Sequence, residues 1–145
     1  MAKIKTLVIA SGYFNPVHRG HIEYLTQSKE LGDELFVIVN NDAQREQKGS
    51  KEFMNQYERK FIIENLKPVN KAFIAVDSDR LCNKTIHMIY NMYVDKFDKF
   101  IFTNGGDQTA ETIGEGDICK KLGIEMVFGL GDKIQSSSWL LKNKQ

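Results

Sequence analysis

Two histidines, His18 and His21, stand three residues apart with Gly20 between them, in the segment Gly12-Tyr13-Phe14-Asn15-Pro16-Val17-His18-Arg19-Gly20-His21. At the start of a helix such a pair projects on one face of the first turn, and the glycine withdraws a side chain that would hold a ligand away. The unpaired amides of that turn already favour an anion. Two imidazoles added to them can hydrogen-bond phosphate oxygens from fixed positions, which is what stabilising charge on a transferring phosphoryl group requires. Taken alone, either histidine reads as a surface or capping residue. The Gly12 and the Asn15-Pro16 turn that precede the pair, behind a strand, are what single it out.

A site of this kind needs a strand to deliver it and a helix to receive it. Ile4 to Ala10 is apolar and β-branched and reads as the strand, and His18 to Leu31 as the helix, ended by Gly32. Leu35 to Asn40 is a continuous apolar run suited to a sheet covered on both faces. Asn41 to Glu52 is polar and charged and reads as a mobile loop, and Phe53 to Leu66 has helical spacing that Pro68 stops. The alternation continues with strands at Ala72 to Val76, Lys99 to Phe102 and Glu125 to Phe128, and with helices at Lys84 to Val94, Glu115 to Leu122 and Ser136 to Lys142. Five strands alternating with helices predict a single α/β domain over residues 1–145, with right-handed crossovers and a doubly wound, mostly parallel sheet. In such sheets the ligand lies outside the carboxyl ends of the strands, so chemistry is sought in the segments that follow them.

The His18-Arg19-Gly20-His21 segment, with Gly12 and Phe14 before it, resembles the His-x-Gly-His nucleotidyltransferase superfamily, which has a Rossmann-like, cytidylyltransferase-like fold. Asn15 replaces the aspartate usual in the signature Gly-x-Phe-Asp, and its Asn-Pro pair is similar to the nicotinate mononucleotide adenylyltransferase branch. The resemblance implies nucleotide contacts from Gly12, Tyr13, Phe14 and Gly20, and phosphate contacts from His18 and His21. It extends to four later segments. Lys48, followed by Gly49, matches the lysine that glycerol-3-phosphate cytidylyltransferases and heptose-phosphate adenylyltransferases use on the triphosphate, with Lys51 as its alternate. Arg59, in Tyr57-Glu58-Arg59-Lys60, stands at the place of the families' phosphate-binding arginine. Gly105, Gly106 and Asp107 resemble the Gly-Gly-Asp after the fourth strand, near base or ribose. Ser136, Ser137 and Ser138 match a Ser/Thr segment that cradles the terminal phosphates, although Gly131 stands where the families have an arginine, with Lys133 as its nearest replacement. Trp139 and the phenylalanines Phe97, Phe100 and Phe102 read as packing.

Composition bounds the partners. The 145 residues carry 20 Lys plus Arg against 19 Asp plus Glu, a net charge of +1 that excludes the broad positive field of a nucleic-acid or membrane-surface binder. One triphosphate needs only a local basic pocket. Cys82 and Cys119 have neither disulfide-scaffold numbers nor zinc-ligand spacing and read as reduced thiols of a cytoplasmic protein. No signal peptide or membrane-length apolar run is visible.

The expected function is therefore transfer of CMP or AMP from CTP or ATP to a small phosphorylated acceptor, glycerol 3-phosphate or a sugar phosphate, with release of pyrophosphate. No metal site is expected on the protein. Magnesium would accompany the triphosphate, held by phosphate oxygens and water. The family resemblance implies a homodimer. A nucleotide-binding regulatory module of the same fold, catalytically weak, is the competing expectation, motivated by Asn15 and Gly131. A flavodoxin-like redox protein shares the fold but gives the histidine pair no purpose.

Overall fold

A computed structural model of the chain describes residues 4–49, 51–105 and 114–130. Ten elements alternate within them: β1 (Thr6–Gly12), α1 (Arg19–Glu30), β2 (Glu34–Val39), α2 (Asp42–Lys48), α3 (Gln56–Glu64), β3 (Lys71–Ile74), α4 (Asn83–Tyr93), β4 (Lys99–Gly105), α5 (Gly116–Leu122) and β5 (Glu125–Leu130). All strand pairs are parallel, in the order β3-β2-β1-β4-β5. The order reverses between β1 and β4, so the crevice that this topology offers opens beside the carboxyl ends of those two strands.

Alternation along the strands divides the core between the faces of the sheet. Leu7, Ile9, Phe36, Ile38, Phe100 and Phe102 face one way and pack with Ile86 and Ile89 of α4 and Cys119 of α5. Val8, Ala10, Leu35, Val37, Val39 and Ile101 face the other way, against Leu25 of α1 and Ile63 of α3. Phe97, Phe100 and Phe102 are buried packing residues, as expected from their spacing. Cys82 and Cys119 are free and buried.

β1 runs two residues further than its apolar stretch because pairing with β2 continues to Gly12 opposite Val39. β4 likewise runs on to Gly105, with a register irregularity against β5 between Thr103 and Gly105. These extensions carry backbone order up to the crevice.

One expected loop is a helix. The polar stretch after β2 forms α2 because Asn41 and Gln44 make a reciprocal capping box: Asn41 accepts from the Gln44 amide while Gln44 accepts from the Asn41 amide. Asp42 in the first turn and Arg45 and Lys48 in the last suit the helix dipole, and Gly49 ends it at φ 87°. Its inner face is polar, since Gln44 and Arg45 are buried, which is why hydrophobic periodicity missed it. The expected helix Ser136 to Lys142 lies outside the described residues. Among the described residues no helix is long and apolar enough to cross a membrane.

Candidate active site

β1 ends at Gly12, and the turn that follows delivers Tyr13 and Phe14 beneath the first turn of α1. Phe14 takes φ 52°, a left-handed conformation that costs a bulky residue about 1–3 kcal/mol. In return its ring is buried and meets His21 edge-on at 5.0 Å between centroids. A Cβ on Gly12 would stand 2.8 to 3.1 Å from that ring, so the glycine leaves room for the aromatic floor. Tyr24, further along α1, donates its hydroxyl to the Thr103 carbonyl at 2.8 Å, and Ser28 meets the Thr103 hydroxyl at 2.9 Å. α1 is thereby fastened to β4, across the crevice.

The two histidines are fixed by the helix they begin. His18 is the N-cap: its Nδ1 accepts from the Gly20 amide at 3.0 Å, while His21 Nδ1 accepts from the His18 amide at 3.1 Å. A ring nitrogen that accepts carries no proton, so both neutral imidazoles bear theirs on Nε2. The rings stack at 3.9 Å with 30° between planes. Burial lowers the pKa of His18, and burial with the neighbouring His18 and Lys48 lowers that of His21 to about 3. Both are therefore neutral hydrogen-bond donors near pH 7. His18 Nε2 is itself buried and has no partner among the described residues. An unpaired buried N–H is costly, and an oxygen brought by a ligand would satisfy it.

The lowered His21 pKa has a consequence for stability. The unfolded chain takes up a proton near pH 6.5 that the folded chain resists until about pH 3. This contribution to stability is complete above pH 6.5 and is lost progressively as pH falls toward 3. The His21→Asn variant should therefore show a shallower fall of unfolding free energy than the parent between pH 6.5 and 4, measured by denaturant titration at each pH.

Lys48, at the end of α2, places its ammonium 4.3 Å from the centre of the Tyr13 ring, close enough to act on His21. Arg59 is placed differently from its expected contact with phosphate. The side chain is wholly buried, and its Nε donates to Met54 O at 3.0 Å. Its Nη1 donates to Tyr13 O at 2.8 Å and to Asn40 O at 2.7 Å, and Nη2 to Asp42 Oδ1 at 2.7 Å. Four of its five N–H groups are thus given to the protein, tying the ends of β1 and β2 to α2 and α3. Lys51 is exposed. Gly20 is buried in the first turn of α1, and Gly105 ends β4. Gly106, Asp107, Gly131, Lys133, Ser136, Ser137, Ser138 and Trp139 lie outside the described residues. Among the described residues no group of three His, Cys, Asp or Glu side chains is placed to hold a metal ion.

The contacts of Asn15 and the presence of Arg80 at the site were not legible in the sequence. Asn15 donates through Nδ2 to the Lys51 carbonyl and accepts at Oδ1 from the amides of Phe53 at 2.8 Å and Met54 at 3.2 Å. An aspartate could accept but not donate there, so the asparagine suits the chain's own loop. Arg80, in the segment between β3 and α4, stands close enough to the Tyr13 hydroxyl and the Lys48 ammonium to act on the pKa of each. Its position directly after a strand was the available signal.

This constellation has counterparts. The family model described as cytidylyltransferase-like matches residues 9–132. A protein named FAD synthase from Picrophilus torridus is 32% identical over 117 residues, covering 81% of this chain and 77% of the relative. Another of that name, from Aciduliprofundum boonei, is 37% identical over 97 residues, and the match spans 63% of this chain and 64% of the relative, less than two thirds of its length. The crystal structure titled lipopolysaccharide core biosynthesis protein from Thermoplasma volcanium superposes with a TM-score of 0.65 at 29% identity, covering 88% of this chain and 98% of that one. With its parallel sheet, its paired histidines at the start of α1 and a family match over most of its length, the chain belongs to the cytidylyltransferase-like superfamily of nucleotidyltransferases.

Proposed function

We propose that the protein transfers AMP from ATP to the phosphate of FMN, forming FAD and releasing pyrophosphate. The observation that carries the chemistry is the His18 Nε2, buried and without a partner among the described residues, set beside His21 at the N-terminus of a twelve-residue helix. The names of the relatives support the acceptor: FAD synthase points to a flavin phosphate rather than to glycerol 3-phosphate or a sugar phosphate, and to ATP rather than CTP.

A phosphate oxygen of FMN attacks the α-phosphorus in line with the departing pyrophosphate: one P–O bond forms and the bond from the α-phosphorus to the bridging oxygen breaks. A phosphate monoester is largely ionised near neutral pH and needs no strong general base. The rate then rests on positioning and on charge stabilisation. His18 and His21 donate from Nε2 to α-phosphate oxygens, held in that tautomer by the helix amides. Lys48 neutralises phosphate charge, and Arg59 positions, holding the Tyr13 and Asn40 carbonyls that shape the floor. Ser136, Ser137 and Ser138 are assigned to the terminal phosphates, and Gly105 and Asp107 to the nucleoside. Magnesium enters with ATP as part of the substrate.

Thermal unfolding with ATP or CTP tests the nucleotide. A ligand at 100 times its dissociation constant stabilises by about 2.7 kcal/mol, which for a domain of this size raises Tm by roughly 8 °C or more. ATP should produce such a shift and CTP should not; the reverse would return the donor to CTP.

A further inference from the structure

Arg80 lies in the segment between β3 and α4, and α2 fixes that segment on both sides of it. The buried Gln44 donates through Nε2 to the carbonyls of Asp79 and Leu81, each at 2.8 Å. Gln47 holds Ser78 O at 2.7 Å, and the Leu81 amide donates to Asp79 Oδ1 at 3.0 Å. An exposed side chain thus stands on a clamped backbone, held by the same helix that carries Lys48. The Lys48 ammonium covers the Tyr13 ring at 4.3 Å from its centre, and the Arg80 guanidinium is near enough to act on the hydroxyl of the same tyrosine and on Lys48.

Two cations gathered on one aromatic side chain repel each other. Arg19, Lys60 and Lys99 pair with Glu23, Glu64 and Glu125, whereas other lysines such as Lys84 and Lys96 stand apart from carboxylates among the described residues. Among the described residues no carboxylate lies within ion-pair distance of Lys48 or Arg80. An anion between them removes that repulsion, and a guanidinium offers phosphate a planar fork. Arg59 leaves room for such a group, because four of its five N–H groups are given to the protein.

We propose that Arg80 and Lys48 form a phosphate-binding pair flanking Tyr13, on the β2–β3 side of the two histidines. The assignment rests on the nucleotidyl-transfer reading for its substrates, and the phosphate has two possible sources, the triphosphate of the nucleotide and the monophosphate of the flavin.

Calorimetric titration of the full chain with inorganic tripolyphosphate, ATP and FMN tests it, in the parent, in Arg80→Ala and Arg80→Lys, and in Lys99→Ala as a control for lost charge. Loss of one charge-assisted contact should weaken binding at least ~10-fold in Arg80→Ala. Arg80→Lys should recover part of the loss, and Lys99→Ala should stay within about twofold of the parent. Weakening confined to ATP and tripolyphosphate supports the pair and places it on the triphosphate; weakening confined to FMN supports it and places it on the acceptor. If the parent binds tripolyphosphate alone and Arg80→Ala loses it, the pair stands while the ATP and FMN reading fails. Unchanged affinity for all probes in a folded Arg80→Ala overturns the pair, as does a parent that binds none of them.

Discussion

Replacing His18 by alanine is expected to lower kcat by at least ~100-fold, the scale seen when one preorganised donor to developing charge is removed. The expectation rests on Nε2, which is buried, carries the ring proton and has no acceptor among the described residues. The same side chain caps α1, so alanine also costs the helix about 1 kcal/mol. His18→Ser separates the two roles, because serine caps well but has no group at the position of Nε2. Unfolding should return to near the parent midpoint in the serine variant, while turnover stays as low as in the alanine variant. If serine restored both, His18 would be a cap and nothing more. Should kcat and kcat/KM fall together, the lost interaction is one made in the transition state.

Arg59→Met carries the largest expected effect on stability. The guanidinium joins four acceptors on three segments, two of them carbonyls just after β1 and β2. Removing it leaves those acceptors without donors and leaves Asp42 without its ion-pair partner. A loss of about 3 kcal/mol is expected, discounted from the fully buried case because the Asp42 side chain is 30% exposed. For a chain of this size that lowers Tm by roughly 10 °C, read by calorimetry without substrate. A variant that keeps its melting temperature but loses affinity for ATP would show instead that Arg59 reaches the phosphates.

Strand number and the parallel order follow from short apolar runs separated by helical periods, and they are visible in the sequence because both core faces of each strand are apolar. The histidine pair is visible for a different reason: its spacing alone sets two rings on one turn. Which nitrogen carries the proton is not visible, since that depends on whether amides of the same turn point at Nδ1. α2 escaped because its buried face is Gln44 and Arg45, and the partners that hold Gln44 are the carbonyls of Asp79 and Leu81, distant in sequence. Arg59 shows the limit most clearly. A guanidinium that binds phosphate and one that binds carbonyls are the same residue in a sequence, and only its complete burial separates them.

The most direct measurement is product analysis after incubating the purified protein with magnesium, ATP and FMN, beside a parallel incubation with CTP and glycerol 3-phosphate. FAD and pyrophosphate should appear in equal amounts in the first, with neither pyrophosphate nor a nucleotidyl product in the second, and His18→Ala should slow the first at least ~100-fold. No FAD from ATP and FMN, or a nucleotidyl product only from CTP and glycerol 3-phosphate, would contradict the account.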